Sequence, residues 1–166
     1  MDLKAALDAF LSTDASPAVQ FIKYALAGGI ATAVHIFTFF LAGFLLWPCV
    51  GKDDILVRLF RLRPREVEEE LRARRAVYCN ILAFLCSNGV CYMLNRLFVF
   101  KAGAHAMWLE ALLFVSVSAL STSLGTMLMG VLIKRFHVQT TWAFSANAVT
   151  SLLINFVLRK FVVFAG

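Results

Sequence analysis

The hydrophobic positions gather into four long runs, residues 21–47, 77–100, 108–133 and 141–164, joined by short polar connections and one long charged segment. A helix crosses the ~30 Å hydrocarbon core of a bilayer with about 20 residues, so every run is long enough to span it with some tilt. The first run ends at Pro48, with Tyr24 and Trp47 where interfacial aromatics anchor a span. Ahead of it, Leu3, Leu7, Phe10 and Leu11 share one helical face while Lys4 and Asp8 lie elsewhere, the pattern of an amphipathic helix on the membrane surface. Ser12 to Pro17 reads as a hinge, and residues 1–16 as an interfacial segment.

The charged segment, residues 51–75, alternates aliphatic residues with Arg58, Arg61 and Arg63. After Pro64 it sets Glu68 against Arg72 and Glu70 against Arg74 at the favourable i,i+4 order, which predicts a helical, partly interfacial loop. The remaining turns are short and force antiparallel neighbours. The starts of the first and third spans, the ends of the second and fourth, and both termini therefore share one side of the membrane. An internal repeat supports this layout: Cys91-Tyr-Met-Leu-Asn-Arg-Leu-Phe-Val-Phe100 aligns without gaps onto Asn155-Phe-Val-Leu-Arg-Lys-Phe-Val-Val-Phe164. The expected fold is an all-α integral membrane protein, one domain over residues 1–166, whose four transmembrane helices form two helical hairpins related as a parallel repeat.

Composition narrows the function. With 61% apolar and 16% charged residues and a mean hydropathy of +0.80, water is not the main solvent, and 166 residues leave no room for an additional soluble catalytic domain. The basic residues flank apolar runs instead of forming a soluble basic face, so membrane lipids and not nucleic acid are the expected anionic partner. Cys49, Cys79, Cys86 and Cys91 lack CxxC spacing and nearby histidines and read as packing residues; no metal site or cofactor is expected. No cleavable signal peptide is expected, because the first residues lack a basic n-region and the first apolar run is too long for one.

Polar residues within the runs are the candidate chemistry. Asn80, Ser87, Asn88, Cys91 and Asn95 form one stripe at about 100° per residue, and Asn147, Ser151, Asn155 and Arg159 recur every four. Gly28, Thr32 and His35 mark the first span; Ser118, Thr122, Thr126 and Gly130 mark the third at small-xxx-small spacing and read as packing. For the asparagines two readings stand, interhelical hydrogen bonding or contact with sugar hydroxyls. His35 falls near mid-bilayer, where a neutral ring bonded to a neighbouring helix competes with a proton-coupling or headgroup role. Lys23, Arg96, Arg159 and Lys160 each lie about a turn inside a span at the same membrane face. Such cations either snorkel to the interface or gather round an anion, and the repeated basic pair favours a phosphate site. Asn88, Asn95, Asn155, Thr32 and His35 are then the candidate sugar or polar pathway.

Three pieces in order resemble the GtrA-like family: Lys23-Tyr24 with Gly28-Gly29-Ile30-Ala31-Thr32; Leu94-Asn95-Arg96-Leu97-Phe98-Val99-Phe100; and Asn155-Phe156 with Arg159-Lys160 through Phe164. These are four-helix membrane proteins that also occur as the membrane domain of some dolichol-phosphate mannose synthases. The resemblance implies a non-enzymatic translocase (flippase) of polyprenyl-phosphate-linked sugars for cell-surface polysaccharide, or a scaffold or regulatory subunit of a polyprenyl-phosphate glycosyltransferase. It implies the inner (plasma) membrane with cytoplasmic termini. Lys and Arg counting points the other way, because Arg58, Arg61, Arg63, Arg65, Arg72, Arg74 and Arg75 crowd the opposite side. His35 falls where similar proteins often carry an acidic residue, and the long basic loop is unusual. A groove open to the bilayer needs more wall than four helices give, so a homo-oligomer is expected. A small multidrug-type proton antiporter would need a carboxylate within a span, and the runs have none in their apolar cores, Glu110 lying at an edge. No nucleophile–base pair or phosphate-cradling glycine loop argues for an enzyme, and Asp53-Asp54 reads as a solvated charge pair.

Overall fold

The computed structural model describes residues 12–13, 15–52, 54–101, 103–136 and 140–165. The amphipathic helix expected at residues 2–11, and Asp53, lie outside them. Among the described residues the chain is helical with no strand: α1 (Pro17–Leu45), α2 (Ile55–Leu59), α3 (Glu69–Leu94), α4 (Met107–Phe136) and α5 (Thr140–Leu158). Two of these helices run on into a single π-helical turn, α3 into π1 (Asn95–Val99) and α5 into π2 (Arg159–Val163). The segments Pro17–Leu45, Glu69–Val99, Met107–Phe136 and Ala146–Val163 are long and apolar enough to cross a membrane. The protein is thus an all-α, multi-pass integral membrane protein with four spans.

Local chemistry sets the helix ends. Pro17 occupies the first turn of α1, where its missing N–H costs nothing, and the Ser16 hydroxyl and carbonyl accept from Val19 and Gln20. Glu69 and Glu70 open α3 and Lys134 and Arg135 close α4, each matched to the helix dipole. α3 begins at Glu69, well before the apolar run at 77, because the residues after Pro64 include good helix formers and no further proline. Its first turn carries an Arg72–Glu69 pair at 2.8 Å in place of the expected Glu68–Arg72 pair, since Glu68 stays outside the helix.

The contacts divide the chain into two compact units, one of Gly28–Cys91 and one of the chain on either side of it. In the Gly28–Cys91 unit the thiol of Cys49 lies 3.7 Å from that of Cys79, which in turn donates to the Trp47 carbonyl at 3.6 Å. Gly43 makes room for this pair, because a Cβ there would stand 2.8 Å from the Cys49 sulfur. Burial and the neighbouring Cys79 push the Cys49 thiol up to about 12, so it stays protonated and serves packing. His35 bridges α1 to α3: its Nε2–H donates to Asn80 Oδ1 (3.2 Å), and the Ser87 hydroxyl lies 3.3 Å from Nδ1. The ring therefore acts as an interhelical tie. Nearby, α2 ends in a Schellman motif, with Leu62 N–H on Val57 O (2.9 Å), Arg61 N–H on Arg58 O (3.4 Å), and Arg61 at φ 51°.

In the other unit α4 packs on α5. Ser121 Oγ donates to the Ser151 carbonyl at 3.1 Å, and a Cβ on Gly125 would collide with Asn147. The contact line is thus Ser118, Ser121 and Gly125, while Thr122 and Thr126 are exposed and Thr126 bonds its own helix at the Thr122 carbonyl. The difference from the expected every-fourth row is geometric: steps of four drift about 40° round a helix each time, whereas mixed steps of three and four hold one face.

Candidate functional site

The two π-turns fall at equivalent positions of the internal repeat, Asn95 aligning with Arg159 and Phe100 with Phe164. In each, the residue after the turn donates its N–H five residues back, Phe100 to Asn95 O and Phe164 to Arg159 O, both at 2.9 Å. The widened turn buries its first and last residues together, Asn95 with Val99 and Arg159 with Val163. It also delivers the closing phenylalanines to one another: Phe100 and Phe164 stack at 5.2 Å and 24°. Tyr24 at the start of α1 and Phe156 on α5 complete this aromatic clasp. π-turns inside helices are rare and concentrate at functional sites, and here both carry the basic residues, Arg96 and Lys160 occupying the second position of each.

The cations divide by partner. Arg96 donates to Glu110 and, at 3.1 Å, to the Tyr92 hydroxyl. Glu110 is wholly buried and also accepts from Tyr92 (3.0 Å) and the Gly103 N–H (2.9 Å). Arg159, only 5% exposed, lies with its guanidinium carbon 3.7 Å from the centre of the Phe114 ring and donates to Ser118 Oγ (2.6 Å) and the Tyr24 hydroxyl (3.3 Å). Lys23 is buried and donates to the Ser12 carbonyl at 2.9 Å. Lys160 is half-buried near the Phe156 and Phe161 rings.

A cavity of about 460 Å³ opens beside the clasp, lined by Lys101, Lys160, Gln20, Thr13, Phe100 and Phe161 among others. Of the four cations singled out in the sequence, Lys160 is the one in its wall; Arg96, Arg159 and Lys23 are held by the protein groups just named. Lys101, directly after π1, takes the second basic position. Gln20 donates through Nε2 to the Thr13 carbonyl at 3.2 Å, and its Oε1 is buried with no hydrogen-bond partner. Two ammonium groups, an unused amide acceptor and aromatic walls suit a phosphate bearing a hydroxyl-rich substituent.

The asparagines and the α1 polar residues do not gather in that wall. Asn88 turns back to the Phe84 carbonyl at 2.9 Å and Thr32 to the Gly28 carbonyl at 2.9 Å; His35 ties α1 to α3. Asn95 is fully buried in π1, and Asn155 keeps a buried Oδ1 with no hydrogen-bond partner. Sequence reasoning passed over Lys101, Gln20 and Glu110. The signal for Lys101 was its place directly behind the repeat, and for Glu110 a lone acid in the first turn of a span facing a repeat arginine.

The fold and the clasp define a class: a small membrane protein with four spans, the second and fourth of which end in basic, aromatic π-turns. The model of one family, described as GtrA/DPMS, transmembrane domain, matches residues 70–164, more than half of the chain. The chain belongs to this family. No curated protein and no solved structure gives a significant match.

Proposed function

We propose that the protein is a non-enzymatic translocase of polyprenyl-phosphate-linked sugars, supplying cell-surface polysaccharide synthesis or modification. The observation that carries this reading is the cavity walled by both Lys101 and Lys160. Two ammonium groups on one cavity wall attract an anion between them. The phosphate sits between the two ammonium groups, the first sugar hydroxyl donates to Gln20 Oε1, and the polyprenyl chain stays in lipid. Arg96 and Arg159 act as positioning residues: they fix the two π-turns that present Lys101 and Lys160. A homo-oligomer closes the wall. Termini in the cytoplasm of the inner membrane place the cavity on the side where such lipids are made.

The test is transport of a fluorescent polyprenyl-phosphate sugar by the purified chain in proteoliposomes. Lys101→Ala/Lys160→Ala is expected to cut the rate at least tenfold with unchanged thermal stability. An unchanged rate would remove the phosphate site. The second reading, a subunit docking a glycosyltransferase, is favoured by the family's own description, which names DPMS beside GtrA. Co-purification of such an enzyme, with no transport by the chain alone, would select it.

A further inference from the structure

The Gly28–Cys91 unit holds a second cavity, about 560 Å³, within the range usual for ligand pockets, roughly 300–1,000 Å³. Its floor is α1, from Ala33 through Phe37 to Phe44, and its roof is Val57, Phe60 and Leu62. Its lining residues are all apolar. From Ala33 to Phe44 the floor runs roughly 16 Å at 1.5 Å per residue, about half the ~30 Å hydrocarbon core and so the depth filled by one leaflet's chains. Trp47 and Tyr78, with rings 6.1 Å apart, form an aromatic pair of the kind that marks the headgroup level just past the end of α1.

The roof alternates with charge. Arg58, Arg61 and Arg63 interleave with Val57, Phe60 and Leu62; all three are exposed, and none forms an ion pair with a described residue. The Schellman turn at Arg61 folds Leu62 back over Val57, which closes the roof and brings the three arginines into one short stretch. Left-handed backbone at an arginine, where glycine is the usual choice, keeps a charge at the one position that the turn would give to glycine.

We infer that this groove binds an anionic phospholipid of the bilayer, one acyl chain lying on α1 beneath Val57, Phe60 and Leu62 and its phosphate held by Arg58, Arg61 and Arg63. A peptide segment would strand backbone N–H and C=O groups against an apolar wall. A second copy of the chain would bring its own three arginines against these three. An acyl chain needs no hydrogen bonds, and an anionic head complements the charge. This site shares no residue with the Lys101–Lys160 cavity, so its failure leaves the translocase reading untouched.

Native mass spectrometry of the full chain, released from nanodiscs of equal phosphatidylglycerol and phosphatidylcholine, tests it. Wild type is expected to retain phosphatidylglycerol over phosphatidylcholine by about tenfold, ~1.4 kcal/mol. Arg58→Gln/Arg61→Gln/Arg63→Gln should bring the ratio to about one while lipid is still retained. Ala33→Phe, which fills the floor, should lower retention of both lipids. No preference in wild type, a preference that survives the triple substitution, or lipid-free dimers that Ala33→Phe converts to monomers would each overturn the proposal.

Discussion

Glu110 shows how a single residue changes what its neighbours can do. A carboxylate with no exposed surface persists only if its charge is met, and here Arg96, the Tyr92 hydroxyl and the Gly103 N–H meet it. That commitment holds π1, and Lys101, directly after the turn, lines the cavity. Arg96→Ala strands the acid and is expected to cost about 3–5 kcal/mol. Arg96→Met/Glu110→Leu removes both charges and should recover most of that loss, measured as the midpoint of thermal unfolding in detergent. A double variant no more stable than Arg96→Ala would show that the pair is not what holds π1. From sequence Arg96 was legible as an important cation; its partner was not, because a lone acid at a span edge looks like an interfacial charge until the fold buries it.

At the scale of elements, periodicity carried the four spans, and the repeat carried the equivalence of the two even ones. Hydropathy hid two things. The charged stretch from Glu69 belongs to α3, since helix propensity continues where apolarity stops. The π-turns were invisible because one extra residue in a turn leaves composition unchanged and alters only which side chains are buried. The α4–α5 seam is a further case: small residues every four were legible on the third span, yet the packed line is Ser118, Ser121 and Gly125. Gly125→Ala puts a methyl group against Asn147 and Ser151 and should destabilise the protein by about 1–3 kcal/mol. Gly130→Ala meets nothing within 4 Å and should be neutral. Parallel thermal melts of the two variants check this, and equal shifts would reject the seam.

Across the whole molecule, the family match and the span count agree on a four-span membrane protein of the GtrA family. Of the two lysines that wall the cavity, Lys160 was legible as the basic end of a repeat and Lys101 was not. Sequence position alone predicts one depth for Lys23, Arg96, Arg159 and Lys160. Side-chain partners decide which of them reaches the cavity, and three of the four are drawn into hydrogen bonds with Ser12, Glu110 and Ser118. Lys101 and Lys160 line the cavity and are the groups proposed to recognise phosphate. Equilibrium binding of a short polyprenyl phosphate, compared with the uncharged polyprenol of the same length, measures that recognition directly. Wild type should favour the phosphate by at least about tenfold, ~1.4 kcal/mol, and Lys101→Ala/Lys160→Ala should bind the two alike. Equal affinity for both ligands in wild type, or a phosphate preference undiminished in the double variant, would contradict the account.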